Sequence, residues 1–342
     1  MRSFGSDNNS GVHPSILAAI SKANQDHAIA YGDDLWTTKA IALIRDHFGK
    51  NAEPFFVFNG TGANSIAVQA TTRSFQSVLA AETSHIAVDE CGAPVFMSGA
   101  SLQTIATPDG KLTPELVRPH LKGWGFEHHS QPKTIYISQC SELGTIYTVQ
   151  EIRNLADLAH AHDMYLHVDG ARLANAVVSA NSSFKEMITE TGVDILSFGG
   201  TKNGMLMGEA VISFRKELSE NLKYIRKQSA QLASKMRYTS AQFVAYLQDD
   251  LWKNNAAHAN RMAKLLRETI VNFPDIQFTQ QTDANILLLK MPEKAIVKLL
   301  ENHFFYIWDE TQHEIRLVTS WDTAEDDFRG LIEDLRKACM YD

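Results

Sequence analysis

Short apolar runs of four or five residues alternate with longer amphipathic ones over the first two thirds of the chain, and few architectures accept that pattern. Residues 55–58, 77–81, 134–138, 165–168 and 195–198 read as buried strands, with helices over 63–72 and 149–162. Strands that are short, apolar throughout and separated by helices build a mostly parallel sheet covered on both faces, an α/β fold. Residues 210–214 follow 195–198 closely enough to be an antiparallel neighbour. Past residue 235 the pattern changes. A long helix over 240–272 leads to strands at 286–289 and 315–318, a helix over 293–302 and a final helix, which is the order of a smaller α+β domain. A chain of 342 residues has room for two domains, here 1–240 and 241–342.

Charge narrows the partners. With 32 Lys+Arg against 40 Asp+Glu the net charge is −8, which argues against nucleic acid. Lys223, Arg226, Lys227, Lys235 and Arg237 still form a local basic cluster that needs another purpose. The three cysteines, Cys91, Cys140 and Cys339, include no C-x-x-C pair, so neither a disulfide framework nor a zinc site is expected. No apolar run approaches the ~20 residues of a membrane span, and residues 1–10 lack the apolar core of a signal peptide. The expectation is a cytoplasmic protein without membrane or metal partners.

Ligands of open α/β sheets bind at the carboxyl ends of the strands. After the first strand comes Asn59-Gly60-Thr61-Gly62-Ala63-Asn64-Ser65, either a tight turn or a phosphate seat made by free N–H groups at a helix start. A dinucleotide loop is the rival reading, because Glu82 follows the next strand, although Ser65 replaces the third glycine. That rival would be a nicotinamide-dependent dehydrogenase. Asp169, after 165–168, is either a helix cap or a carboxylate for a metal, a ribose or a protonated ring nitrogen. Lys202, after Gly199 and Gly200, is either a solvated lysine or a buried, imine-forming nucleophile. Together the three loops supply the anchors of pyridoxal 5'-phosphate: a phosphate seat, a partner for the pyridine nitrogen and an imine-forming lysine. The dinucleotide reading leaves two of the three idle.

Four segments carry a family resemblance. Phe58-Asn59-Gly60-Thr61-Gly62-Ala63-Asn64, Glu82-Thr83-Ser84-His85 with Asp89-Glu90-Cys91-Gly92-Ala93-Pro94, His167-Val168-Asp169-Gly170-Ala171-Arg172, and Ser197-Phe198-Gly199-Gly200-Thr201-Lys202-Asn203-Gly204 resemble the low-specificity L-threonine aldolases. These are fold-type-I pyridoxal-phosphate-dependent enzymes, and the resemblance runs from Ser6 to Thr319. It implies retro-aldol cleavage of L-β-hydroxy-α-amino acids to glycine and an aldehyde.

The resemblance also implies roles. Gly60, Thr61, Gly62 and Thr201 would bind the cofactor beside Asp169 and Lys202, His85 would stack on its ring, and Arg172 would bond its 3′ oxygen. His128, rather than His129, would recognise or deprotonate the substrate hydroxyl, while Arg316 with Ser6 would grip the carboxylate. Tyr31 and Arg237 would reach the site from a neighbouring subunit of a dimer or tetramer, which gives part of the basic cluster its purpose. The chain departs from the family pattern at Val95, Phe96 and Met97, and if these line the pocket a bulky aryl substrate such as phenylserine becomes an alternative. A β-eliminating lyase is the alternative reaction on the same cofactor.

Overall fold

The computed structural model describes residues 3–273 and 275–339. Seven strands, β1 (Glu53–Val57), β2 (Gln76–Ala81), β3 (Ser101–Ile105), β4 (Gln131–Ser138), β5 (Tyr165–Gly170), β6 (Ile195–Gly199) and β7 (Glu209–Ser213), form one sheet in the order β1-β7-β6-β5-β4-β2-β3. Pairings along β6-β5-β4-β2-β3 are parallel, and β7 runs antiparallel to both β6 and β1. Every residue of β6 and β7 is buried, as the unbroken apolar runs require. Helix Val149–Ala161 shows why the intervening segments are helical. A Thr148–Glu151 capping box starts it, and Ile152, Leu155, Ala156, Leu158 and Ala159 make its buried stripe.

A second sheet, all antiparallel, contains β8 (Gln277–Phe278), β9 (Ile286–Lys290), β10 (Tyr306–Asp309) and β11 (Glu314–Val318) in the order β10-β11-β9-β8. It has its own core, in which Leu287, Leu289, Ile315 and Leu317 meet Leu266, Ile270, Phe328 and Leu335. Phe4 belongs to that core too, accepting from Val318 N and donating to Phe304 O, each at 2.8 Å. The first residues thus run along the small sheet and deliver Ser6 and Asp7 to the large one.

Two expectations change. The helix expected over 240–272 is two, Arg237–Leu247 and Leu251–Ile270, parted where Asp249 and Asp250 take left-handed φ of 53° and 55°. Aspartate visits that conformation more readily than most side chains, and the apolar periodicity continues across the break. Strands β3 and β10, which the apolar pattern did not mark, are partly exposed edge strands. No helix among the described residues is long and apolar enough to cross a membrane. Cys91 is exposed and Cys140 buried, while the side chain of Cys339 lies outside the described residues.

Candidate active site

Chain connections reverse direction between β2 and β4, which lie side by side while β3 and β5 lie outside them. Open α/β sheets form a crevice at such a switch point. Here it is a cavity of about 460 Å³. Gly60, His85, Asp169, Arg172, Lys202, Ser6 and Arg316, all expected at the site, line it.

Asp169 is the buried anchor. Its Oδ2 accepts from Tyr136 Oη at 2.7 Å and Asn64 Nδ2 at 2.8 Å, and its Oδ1 accepts from Ala171 N at 2.9 Å. Burial alone would raise its pKa, but the His85 charge, these hydrogen bonds and Lys202 hold it below the usual value. Lys202 is half-buried, and desolvation with the nearby Arg172 charge lowers its pKa, so its amine gives up a proton more easily. His85 pairs through Nδ1 with Glu90 Oε1 at 2.8 Å, and its backbone N–H donates to Glu142 Oε1 at 2.8 Å. Asn64 Nδ2 donates to Glu90 Oε1 as well, at 2.7 Å, so one amide ties Glu90 to Asp169. His85, Glu90 and Asp169 present ligand atoms within 4.8 Å of one another, but this hydrogen-bonded web already joins them.

The two arginines differ. Arg172 is held by Asp7 in a fork, Nε to Oδ2 at 2.7 Å and Nη2 to Oδ1 at 2.9 Å. Arg316 has Trp308 and Tyr306 rings 5.0 and 5.7 Å from its guanidinium, and its buried Nε has no hydrogen-bond partner among the described residues. Burial and the charge of Arg172 push its pKa down. A flat cation with no acid paired to it among the described residues, facing a cavity, can hold a carboxylate.

A family model described as beta-eliminating lyase matches residues 3–292. The low-specificity L-threonine aldolase of Pseudomonas aeruginosa is 41% identical over 334 residues, 97% of this chain and 96% of that one. This chain belongs to the low-specificity L-threonine aldolases of the beta-eliminating lyase family. A second such aldolase, from a Pseudomonas species, is 40% identical over the same shares of the two chains. The solved threonine aldolase of Leishmania major superposes with a TM-score of 0.92 at 29% identity, covering 99% of this chain and 100% of that one. The fold is that of the fold-type-I pyridoxal phosphate enzymes, and threonine aldolases of this family depend on that cofactor.

The residues present fit it. A buried, ionised carboxylate and a readily deprotonated lysine face one cavity, and a Cβ at Gly60 would meet nothing within 4 Å, leaving the helix start open to a ligand. Gly62 is a glycine for a different reason. A Cβ there would stand 2.5 Å from Gln231, whose Oε1 accepts the Phe58 N–H at 2.9 Å. Asn59 Oδ1 takes the Gly62 N–H at 2.8 Å, so that donor is already used. Thr201 hydrogen-bonds Glu209.

Of the expected residues, Thr61, Gly62, Thr201, His128, Tyr31 and Arg237 do not line the cavity of their own chain. His128 lies on an exposed loop against Phe126 and Glu127. Tyr31 is half exposed under Lys227, and Arg237 donates to the carbonyls of Gln25 and Asp26. Val95, Phe96 and Met97 do not line the cavity either. Phe96 is 89% exposed and Met97 borders a separate hollow beside Arg73 and Tyr224, because the helix Ala93–Ser98 turns outward after Pro94 is buried. The apolar wall is instead Val88, Tyr306, Ile307 and Trp308. The dinucleotide reading fails as well: Glu82 is exposed, and β1 and β2 stand first and sixth in the sheet instead of side by side.

Sequence reasoning missed Asp7, Asn64, Glu90, Tyr136, Glu142 and Asn285. Asp7, Asn64 and Glu90 sit inside or next to the motifs that flagged their neighbours. Tyr136 is hidden in an apolar strand, and Asn285 had no signal.

Proposed function

We propose that this carbon–carbon lyase cleaves L-threonine, L-allo-threonine and related L-β-hydroxy-α-amino acids to glycine and an aldehyde. Family membership supports the reaction, and Arg316, whose buried Nε has no partner among the described residues and which lines one cavity with Lys202 and Asp169, is the observation that carries it to this chain's residues. Lys202 would hold pyridoxal phosphate covalently, Asp169 would bond its ring nitrogen, and Gly60, Thr61 and Thr201 would receive the phosphate. When bound, the cofactor supplies a sink for the electron pair of the broken Cα–Cβ bond.

The side chains do the rest. Arg316 and Ser6 fix the substrate carboxylate while its amine lies towards Lys202, and these two holds set which bond at Cα is broken. His85 is fastened to Glu90 through Nδ1, so Nε2 is the nitrogen available for the β-hydroxyl proton. Tyr31, Arg237 and His128, outside the cleft of their own chain, are read as contributions of a neighbouring copy in a dimer or tetramer. The scarcity of cysteines supports a cytoplasmic setting.

A substrate panel tests the reaction. Threonine, allo-threonine and phenylserine should each yield glycine and an aldehyde, and Lys202→Ala should abolish both products. Ammonia and a keto acid in their place would establish the β-eliminating lyase instead. Activity assays of Tyr31→Ala and Arg237→Ala, each mixed with Lys202→Ala, test sharing: activity recovered in the mixture is expected only if sites are built from two copies.

A further inference from the structure

One buried acid beside the lysine takes no part in the reaction above. Glu209 opens β7, and its register partner on β6 is Gly199. It is 7% exposed. Its Oε2 accepts the Gly200 N–H at 3.0 Å, and its carboxylate takes the Thr201 hydroxyl. A Cβ at Gly199 would come within 2.9 Å of that same Oε2 and 2.8 Å of Ala171 Cα, so turn and carboxylate fit each other closely. Every hydrogen bond named for Glu209 therefore goes to the turn that carries Lys202.

Arg172, Asp7, Asp169 and Glu209 act on Lys202, while Lys202 and Asp169 act on Glu209, with the buried Tyr246 hydroxyl nearby. Asp7 is engaged by Arg172, and Asp169 by Tyr136 and Asn64. Glu209 alone of the three carboxylates is bound to the lysine's own turn.

We propose that Glu209 is a positioning residue for Lys202, which locks the 199–202 turn through Gly200 and Thr201 and sets the basicity of the lysine nitrogen. The inference rests on the reading of Lys202 as the cofactor lysine. Burial pushes the Glu209 carboxyl up to about 7, against the pull of Thr201 and Lys202, so its charge changes near neutrality.

The test compares wild type, Glu209→Gln and Glu209→Ala as holoenzymes, titrating the visible absorbance of the bound cofactor with pH and timing cofactor loading onto the apo form. Glutamine keeps an acceptor for the Gly200 N–H, so Glu209→Gln should load at close to the wild-type rate. Its absorbance midpoint should fall by about one unit, because a negative charge beside a cationic nitrogen is gone. Glu209→Ala loses the lock as well and should load about tenfold more slowly. A glutamine variant with the wild-type midpoint overturns the proposal, whether or not the alanine variant folds. Wild type without a visible band that Lys202→Ala removes would instead sink the underlying reading of Lys202.

Discussion

Asp7 and Arg172, 165 positions apart in sequence, meet as a two-point ion pair at the base of the cleft. Asn285 Nδ2 adds a third strand to the knot, donating to Asp7 Oδ2 at 3.0 Å and to Thr319 O at 2.7 Å. One carboxylate thus joins the N-terminal segment, the turn after β5 and the start of β9. It also distinguishes the two arginines. With two of its nitrogens engaged, Arg172 leaves Arg316 as the arginine whose Nε is open to a substrate carboxylate.

Asp7→Asn should therefore weaken the whole molecule. Removing one partner of a buried ion pair costs about 3–5 kcal/mol, and denaturant unfolding would register that loss. The pH dependence has a definite sign. Burial raises the Asp7 pKa, but Arg172 and Lys202 outweigh it and leave the folded value below the ordinary one. Its contribution is present above the unfolded pKa of about 4 and disappears as pH falls through the lower folded value. The gap between wild type and variant should accordingly narrow in acid; a constant gap would contradict the account.

Arg316→Lys keeps the charge and loses the fork. A charge-assisted hydrogen bond is worth about 1.5–3 kcal/mol, so KM for threonine should rise about 10–100-fold. Ordinary Michaelis–Menten kinetics are enough to check this, and an unchanged KM would mean that the carboxylate binds elsewhere.

The sequence made the sheet legible because β4, β5 and β6 are apolar on both faces, and it located Asp169 and Lys202 because each follows such a strand. Residues that reach the site from outside that pattern were hidden. Tyr136 contributes a hydroxyl from an otherwise apolar strand, and Asn285 reaches Asp7 from the other sheet across 278 positions. The break at Asp249 and Asp250 was invisible because apolar spacing persists on both sides of it. His128 matched a motif, yet its own chain leaves it on an exposed loop. Local pattern reports what a strand end offers, whereas long-range pairing decides what completes it.

Gly60 and Gly62 looked equivalent in sequence and should separate on mutation. Gly62→Ala drives a Cβ into the end of the flexible Gln231 side chain, which must swing off the Phe58 N–H, and should cost about 0.5–1.5 kcal/mol, the worth of one hydrogen bond, measurable as a lower unfolding midpoint. Gly60→Ala meets open space and should fold like wild type. If the helix start receives the phosphate, however, that same methyl group should weaken cofactor binding, read by equilibrium dialysis of the apo form. Equal effects of the two alanines on stability would refute the distinction.

Glu90 should govern the pH profile through His85. Burial alone would lower the His85 pKa, but the Glu90 hydrogen bond and the Asp169 charge outweigh it and leave the value above 6.5. Stability gained from this raised pKa is fully present below about 6.5 and fades as pH climbs through the folded value. A neutral imidazole is needed to accept the β-hydroxyl proton, so the acid limb of kcat/KM should follow the same group. Glu90→Gln removes the acceptor charge while nearly preserving shape. That limb should then move about one unit towards acid, and the stability difference from wild type should be largest at low pH. The His85 ring resonance, titrated by NMR in both proteins, should shift in step. If the resonance moves and the kinetic limb does not, the proton acceptor is a group other than His85; if neither moves, Glu90 does not control the ring.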